Sequence, residues 1–248
     1  MQSELANWNA ESFRLTLFDV ADWIQRPIFA EIAASPPAQI NAQPPIQFYQ
    51  ETGNLFDAYL SVTQQGNRVD VSLSDEPTRN TIDPSTPGYR PLYYVGPYQS
   101  SLAYFDQICD RTTNVFKRAA RLAYAITLIR QTSNMPEAMS ILRGYLPTID
   151  FDPQTDRDLA FQINRPTHDR AGKLINRLAR WETVQLAKIR VMAATVPTVA
   201  PGETTFAARA YVDVNTDAEN TVPLGDLPEL IRDLRAQAVH MIEHGDTK

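Results

Sequence analysis

The chain has 248 residues, of which 43% are hydrophobic and 21% charged, and its formal net charge is −6. That balance belongs to a folded globular chain and excludes disorder by composition, while a pI near 5.1 disfavours a dedicated nucleic-acid binder. Nine glycines, no two closer than Gly88 and Gly96, exclude the dinucleotide fingerprint, the P-loop, the kinase glycine loop and the G-x-S-x-G elbow, which need glycines a few residues apart.

In chain order, Phe13–Phe18 alternates and reads as a strand. Ten of the eighteen prolines fall between Pro27 and Pro97, so that third is expected to hold short strands and ordered loops. Two alternating runs, ending in Leu60-Ser61-Val62 and starting at Arg68, flank Gln64-Gln65-Gly66-Asn67 and predict a β-hairpin within 55–74. From Ser100 to about Arg130 apolar residues recur at three and four (Leu102, Phe105, Cys109, Ala119, Leu122, Ile126, Ile129), which predicts one unusually long amphipathic helix or two in succession. Cys109 falls in that stretch and reads as a buried structural thiol.

Pro136 opens a short helix that Pro147 stops. Leu159–Ile163 is a short strand. Residues 174–191 fit helical spacing only in part and read as a long or bulged strand, and 205–214 as a clearer one. Asp226-Leu227-Pro228-Glu229 has capping-box spacing and opens a helix to His244, with Gly245 behind it. Val69-Asp70-Val71 echoes Val212-Asp213-Val214, and each is followed by a polar loop and a helix. The expected fold is therefore α+β, antiparallel sheet packed on a long central helix, with room for two similar strands-then-helix units. The organisation expected is a strand-rich 1–149 ending in a helical pair, then 150–248 with strands and a C-terminal helix, continuous or separate.

Charge is segregated. Residues 157–190 hold eight basic and three acidic side chains, a net of +5 that leaves −11 for the rest. Arg165, Arg170, Lys173, Arg177 and Arg180, with Trp181, form a candidate partner-binding surface, since cations beside an aromatic grip anions. Tyr89, Tyr93, Tyr94 and Tyr98 form a second, tyrosine being a stiff contact residue with a polar tip.

The metal signals are thin. His240 and His244 stand at i and i+4, but the pair lacks the glutamate placement of a metalloprotease. Asp150, Asp152, Asp156 and Asp158 lack the glycine and terminal glutamate of a calcium loop and read as a solvated turn. His168 beside Asp169 is a weak acid–base pair.

The chain begins without a basic, apolar leader, has no run of about 18 apolar residues, and carries one cysteine, so a bacterial cytoplasmic setting without membrane or cofactor is expected. The leading expectation is a non-enzymatic subunit or adaptor that binds a protein partner or itself, with nucleic acid not favoured. The alternatives are a metal-dependent hydrolase or nuclease with a dispersed carboxylate/His site, and a small-ligand-binding α+β protein.

Overall fold

A computed structural model describes residues 5–20, 26–76, 93–169, 172–192, 198–217, 219 and 226–246, with backbone alone for 187–192 and 198–203. Its first strand, β1 (Asn9–Phe18), places Phe13, Leu15 and Leu17 on one face, after a register shift between Ala10 and Ser12. A single-turn α1 (Phe29–Ala33) follows. The proline-rich third then yields β2 (Gln39–Gln43), a 3-10 turn at Pro44–Ile46, β3 (Phe48–Leu55), β4 (Ala58–Gln65) and β5 (Arg68–Ser74). The expected hairpin is β4–β5, where Gly66 takes φ +59° in the turn.

After a two-residue β6 (Gly96–Pro97) comes α2 (Tyr98–Val115), then β7 (Arg121–Thr132). This corrects the expectation of one helix to Arg130 and, with it, of a long central helix. The sheet dominates, and the longest described helices have 18 residues. The reason is burial on two sides. Leu122, Tyr124, Ile126 and Leu128 enter the main core while Ala123, Ala125, Thr127 and Ile129 face the other way, so nearly every position is buried and a spacing of three or four arises by default.

The rest is α3 (Met135–Tyr145), β8 (Ala160–Asn164), β9 (Thr167–His168), β10 (Leu174–Met192), β11 (Thr198–Thr216) and α4 (Leu227–His244). The strand expected over 174–191 is β10, with a register shift between Ala187 and Ile189. Both helix starts anticipated from sequence carry side-chain caps: Asn134 accepts from the Glu137 N–H at 3.0 Å and Asp226 from the Glu229 N–H at 3.1 Å.

Among the described residues, eleven strands form one antiparallel sheet in the order β2-β3-β4-β5-β1-β7-β11-β10-β8, with β6 on β1 and β9 on β10. From the central β1/β7 pair the order outward is β5, β4, β3 on one side and β11, β10, β8 on the other. Among the described elements a helix follows β1 directly and β5 after the two-residue β6, and a helix likewise follows β7 and β11. The two Val-Asp-Val stretches occupy matching places, in β5 beside β1 and in β11 beside β7. All four valines are fully buried.

The buried residues of all four helices share one core with Phe13, Tyr124, Val212 and their neighbours. Phe105 of α2 sits at its centre, 5.2 Å from the Phe13 ring and 5.7 Å from that of Tyr124. The opposite face carries no described helix. It is a lattice of paired charges and hydroxyls, including Arg14–Asp213 at 3.4 Å, Arg209–Glu11 at 2.7 Å, Arg68–Asp70 at 2.7 Å and Thr16–Asp70 at 2.6 Å. Beyond Leu186 and Thr205 the described β10 and β11 pair only with each other. No described helix is long and apolar enough to cross a membrane.

Candidate functional site

Strand β8 forms one edge of the sheet and pairs with β10, Ile163 opposite Ala179 and Phe161 opposite Trp181, all on the helix-covered face. The pairing continues one residue past β8: the Arg165 N–H donates to the Arg177 carbonyl at 2.8 Å, and Arg177 Nε donates back to the Arg165 carbonyl at 2.8 Å. Two guanidinium groups thus stand directly across a strand pair, an arrangement that destabilises a sheet. Desolvation and then the Arg165 charge hold the Arg177 guanidinium below its ordinary pKa.

The last turns of α4 close over this edge. Their 3.6-residue period brings His240 and His244 to one side, ring centroids 4.1 Å apart, with His244 Nδ1 2.9 Å from the His240 carbonyl. Desolvation, then the charges of His244 and Arg177, depress the His240 pKa below its ordinary value, against an opposing pull from Glu243. Together these groups enclose a pocket of about 40 Å³, lined by Ile163, Arg165, Arg177, Trp181, His240, Met241, His244 and Gly245. No carboxylate is among them. Trp181 is 1% exposed and stacks on Phe161 at 6.2 Å, yet its buried Nε1–H has no acceptor. A buried donor left unpaired costs about 1–3 kcal/mol. Pocket chemistry is therefore rich in donors: two guanidinium groups, which only donate, and two imidazoles, which donate through both nitrogens once protonated. It suits a ligand rich in acceptors.

Of the basic candidates, Arg165, Arg177 and Trp181 converge here with His240 and His244. Arg180 faces the opposite side of the sheet and pairs with Glu182. Lys173 lies in the β9–β10 turn, where its N–H donates to Asp169 Oδ1 at 2.7 Å beside Gly172, whose φ is +79°. That bond also commits the carboxylate next to His168 to the turn. Arg170 and Tyr89 lie outside the described residues.

The other tyrosines separate. Tyr98 is 3% exposed, and burial, then Glu243, pushes its hydroxyl pKa far up, so it packs rather than docks. Tyr94 packs with Ile129, Ala207 and Leu186, while Tyr93 is exposed. Asp152 and Asp156 spend carboxylate oxygens on backbone N–H groups of their own turn at 2.8–2.9 Å. Cys109 is a buried free thiol whose pKa burial pushes up. Among the described residues no three His, Cys, Asp or Glu side chains gather as metal ligands, and the Arg177 charge beside His240 repels a cation.

A second cleft of about 310 Å³ runs between α2 and α4, bridged by Arg235 and Asp106 at 2.6 and 2.7 Å. Its lining mixes both charges, and two of its charged groups, Arg235 and Asp106, are engaged with each other in that bridge. Arg165, Arg177 and Trp181 were legible in the sequence as part of a basic block, and His240 and His244 as a histidine pair. Their meeting was not, because the docking of α4 on the β8 edge is a long-range event that no local pattern records.

No family model matches the chain, and neither a curated protein nor a solved structure was found to be similar to it.

Proposed function

We propose that this chain is a non-enzymatic binding subunit that engages an acidic segment of a protein partner at the β8 edge of its sheet. One observation carries the reading: Arg165 and Arg177 stand opposite each other across the β8–β10 pairing and line one pocket with His240 and His244, with no carboxylate among its described lining residues. Proteins keep like charges crowded and partly desolvated where an opposite charge is to arrive. Among the described residues β8 is an edge strand with no neighbour on its outer side, so an extended acidic peptide has both main-chain and side-chain partners there. The sheet face without a described helix supports nucleic acid poorly, since the arginines Arg14, Arg68, Arg180 and Arg209 there already have carboxylate partners.

The mirrored strand order, with matching helices and Val-Asp-Val stretches, supports a duplicated strand–helix–strands–helix unit as the origin of the fold. On that reading the Arg/His pocket belongs to the second copy alone.

The test is the native mass of the complex isolated with wild-type chain and with Arg165→Glu/Arg177→Glu. A stoichiometric partner that docks through an acidic stretch and is lost from the variant is the expected result. A partner retained by the folded variant overturns the proposal.

A further inference from the structure

We propose that the Arg165/Arg177/His240/His244 pocket is an oxyanion site that admits one head group of a protein partner's side chain, a carboxylate or a phosphorylated hydroxyl. This rests on the binding reading of the same site and narrows it to a chemical class and a size. About 40 Å³ accommodates a single head with its oxygens, whereas a drug-sized or nucleotide ligand takes several hundred. The two guanidinium groups only donate, and each imidazole donates through both nitrogens once protonated, so the lining favours a ligand rich in acceptors. Guanidinium forks match the paired oxygens of such a head. Trp181 lines the same pocket, and its ring, 1% exposed, is a reporter fixed beside the bound head group.

One feature opposes an anion here: the pocket lies at the C-terminal end of α4, the negative pole of its dipole. The two histidines in the last turns offset that pole once protonated. The charged groups facing His240 are Arg177 on β10, Arg165 beyond β8, and His244 and Glu243 on α4 itself. Three of these are cationic or become so, which keeps the empty imidazole neutral at lower pH than usual. A bound oxyanion reverses that field, so binding draws a proton onto His240 and tightens as pH falls from about 7 toward 5.

The experiment titrates acetate and sulfate into the full chain and follows the indole N–H resonance of Trp181 and the imidazole resonances of His240 and His244. Acetate stands for a side-chain carboxylate, sulfate for a phosphoryl group. The expected result is a saturable shift of the Trp181 indole signal, a rise of the His240 pKa when ligand is bound, and affinity about tenfold weaker in Arg177→Met, the loss of one charge-assisted hydrogen bond. Tighter acetate assigns the pocket to Asp or Glu of the partner, and tighter sulfate to a phosphorylated residue; either supports the proposal. Arg165→Met is read in parallel should Arg177→Met fail to fold. A Trp181 signal unmoved by both anions, or moved equally by chloride at matched ionic strength, overturns it. Should that happen while the partner complex still dissociates in Arg165→Glu/Arg177→Glu, the oxyanion site fails and the binding reading stands. Anion binding beside a partner indifferent to the charge reversal gives the converse.

Discussion

Gly245→Ala tests how the C-terminal end of α4 is fixed, and with it the floor of the pocket. Gly245 ends the helix at φ 64°, ψ −133°, a region that only glycine enters without strain. An alanine there costs about 1–3 kcal/mol in backbone strain alone. The added Cβ also falls 1.9 Å from the Tyr145 carbonyl oxygen and 2.7 Å from its carbon, backbone atoms of the last turn of α3 that cannot rotate away. Relief requires α3 and α4 to separate locally. The bond from the Asp246 N–H to the Tyr145 carbonyl, now 2.9 Å, is then lost at a further cost of about 1 kcal/mol. A total near 3 kcal/mol lowers the Tm by about 6–12 °C for a chain of this size. Thermal unfolding followed by circular dichroism, with urea midpoints alongside, reads the effect. A drop below about 2 °C, the response to less than 1 kcal/mol, would refute both the strain and the close approach.

Glu51 is fully buried on β3 and accepts the Ile28 and Phe29 N–H groups at 2.7 and 2.9 Å, the donors at the start of α1. Glu51→Ala strands both and should cost about 2–4 kcal/mol in urea unfolding, with Glu51→Gln well short of that because an acceptor remains; equal losses would disprove the capping role. Phe105→Ala removes the ring between Phe13 and Tyr124 and should destabilise by about 3–5 kcal/mol with an unchanged m-value. The Asp106–Arg235 pair leaves about a third of each side chain exposed, so a double-mutant cycle should give about 1 kcal/mol or less, shrinking in high salt. His240 titrates below its ordinary value of 6.5 in the fold, so the unfolded chain binds more protons just below that pH and stability falls as pH drops through it. His240→Asn should accordingly gain on wild type at about pH 5.5 relative to pH 7.5. A stability difference that is the same at both pH values would show that the imidazole feels no such field.

Local features of this protein were readable from residue order. Alternation in 58–74 specified β4 and β5, because a side chain on a half-buried strand feels only its own parity. Pro136, Asp226 and Gly245 marked helix ends, since these signals act within three or four residues. Where the tertiary structure overruled the pattern, the cause was burial from both sides: Arg121–Thr132 lies at the centre of a wide sheet, so its apolar run lost the polarity contrast that separates a strand from a helix. The β-branched and aromatic residues Tyr124, Ile126, Thr127 and Ile129 were the signal that favoured a strand.

The candidate site divides in the same way. Sequence supplied a basic block and an i, i+4 histidine pair, both local patterns. Strand register turned Arg180 to one face and Trp181 to the other, and helix docking set α4 against the β8 edge. Side chains more than sixty positions apart became one pocket through those two long-range choices, which depend on core packing rather than on any neighbouring residue.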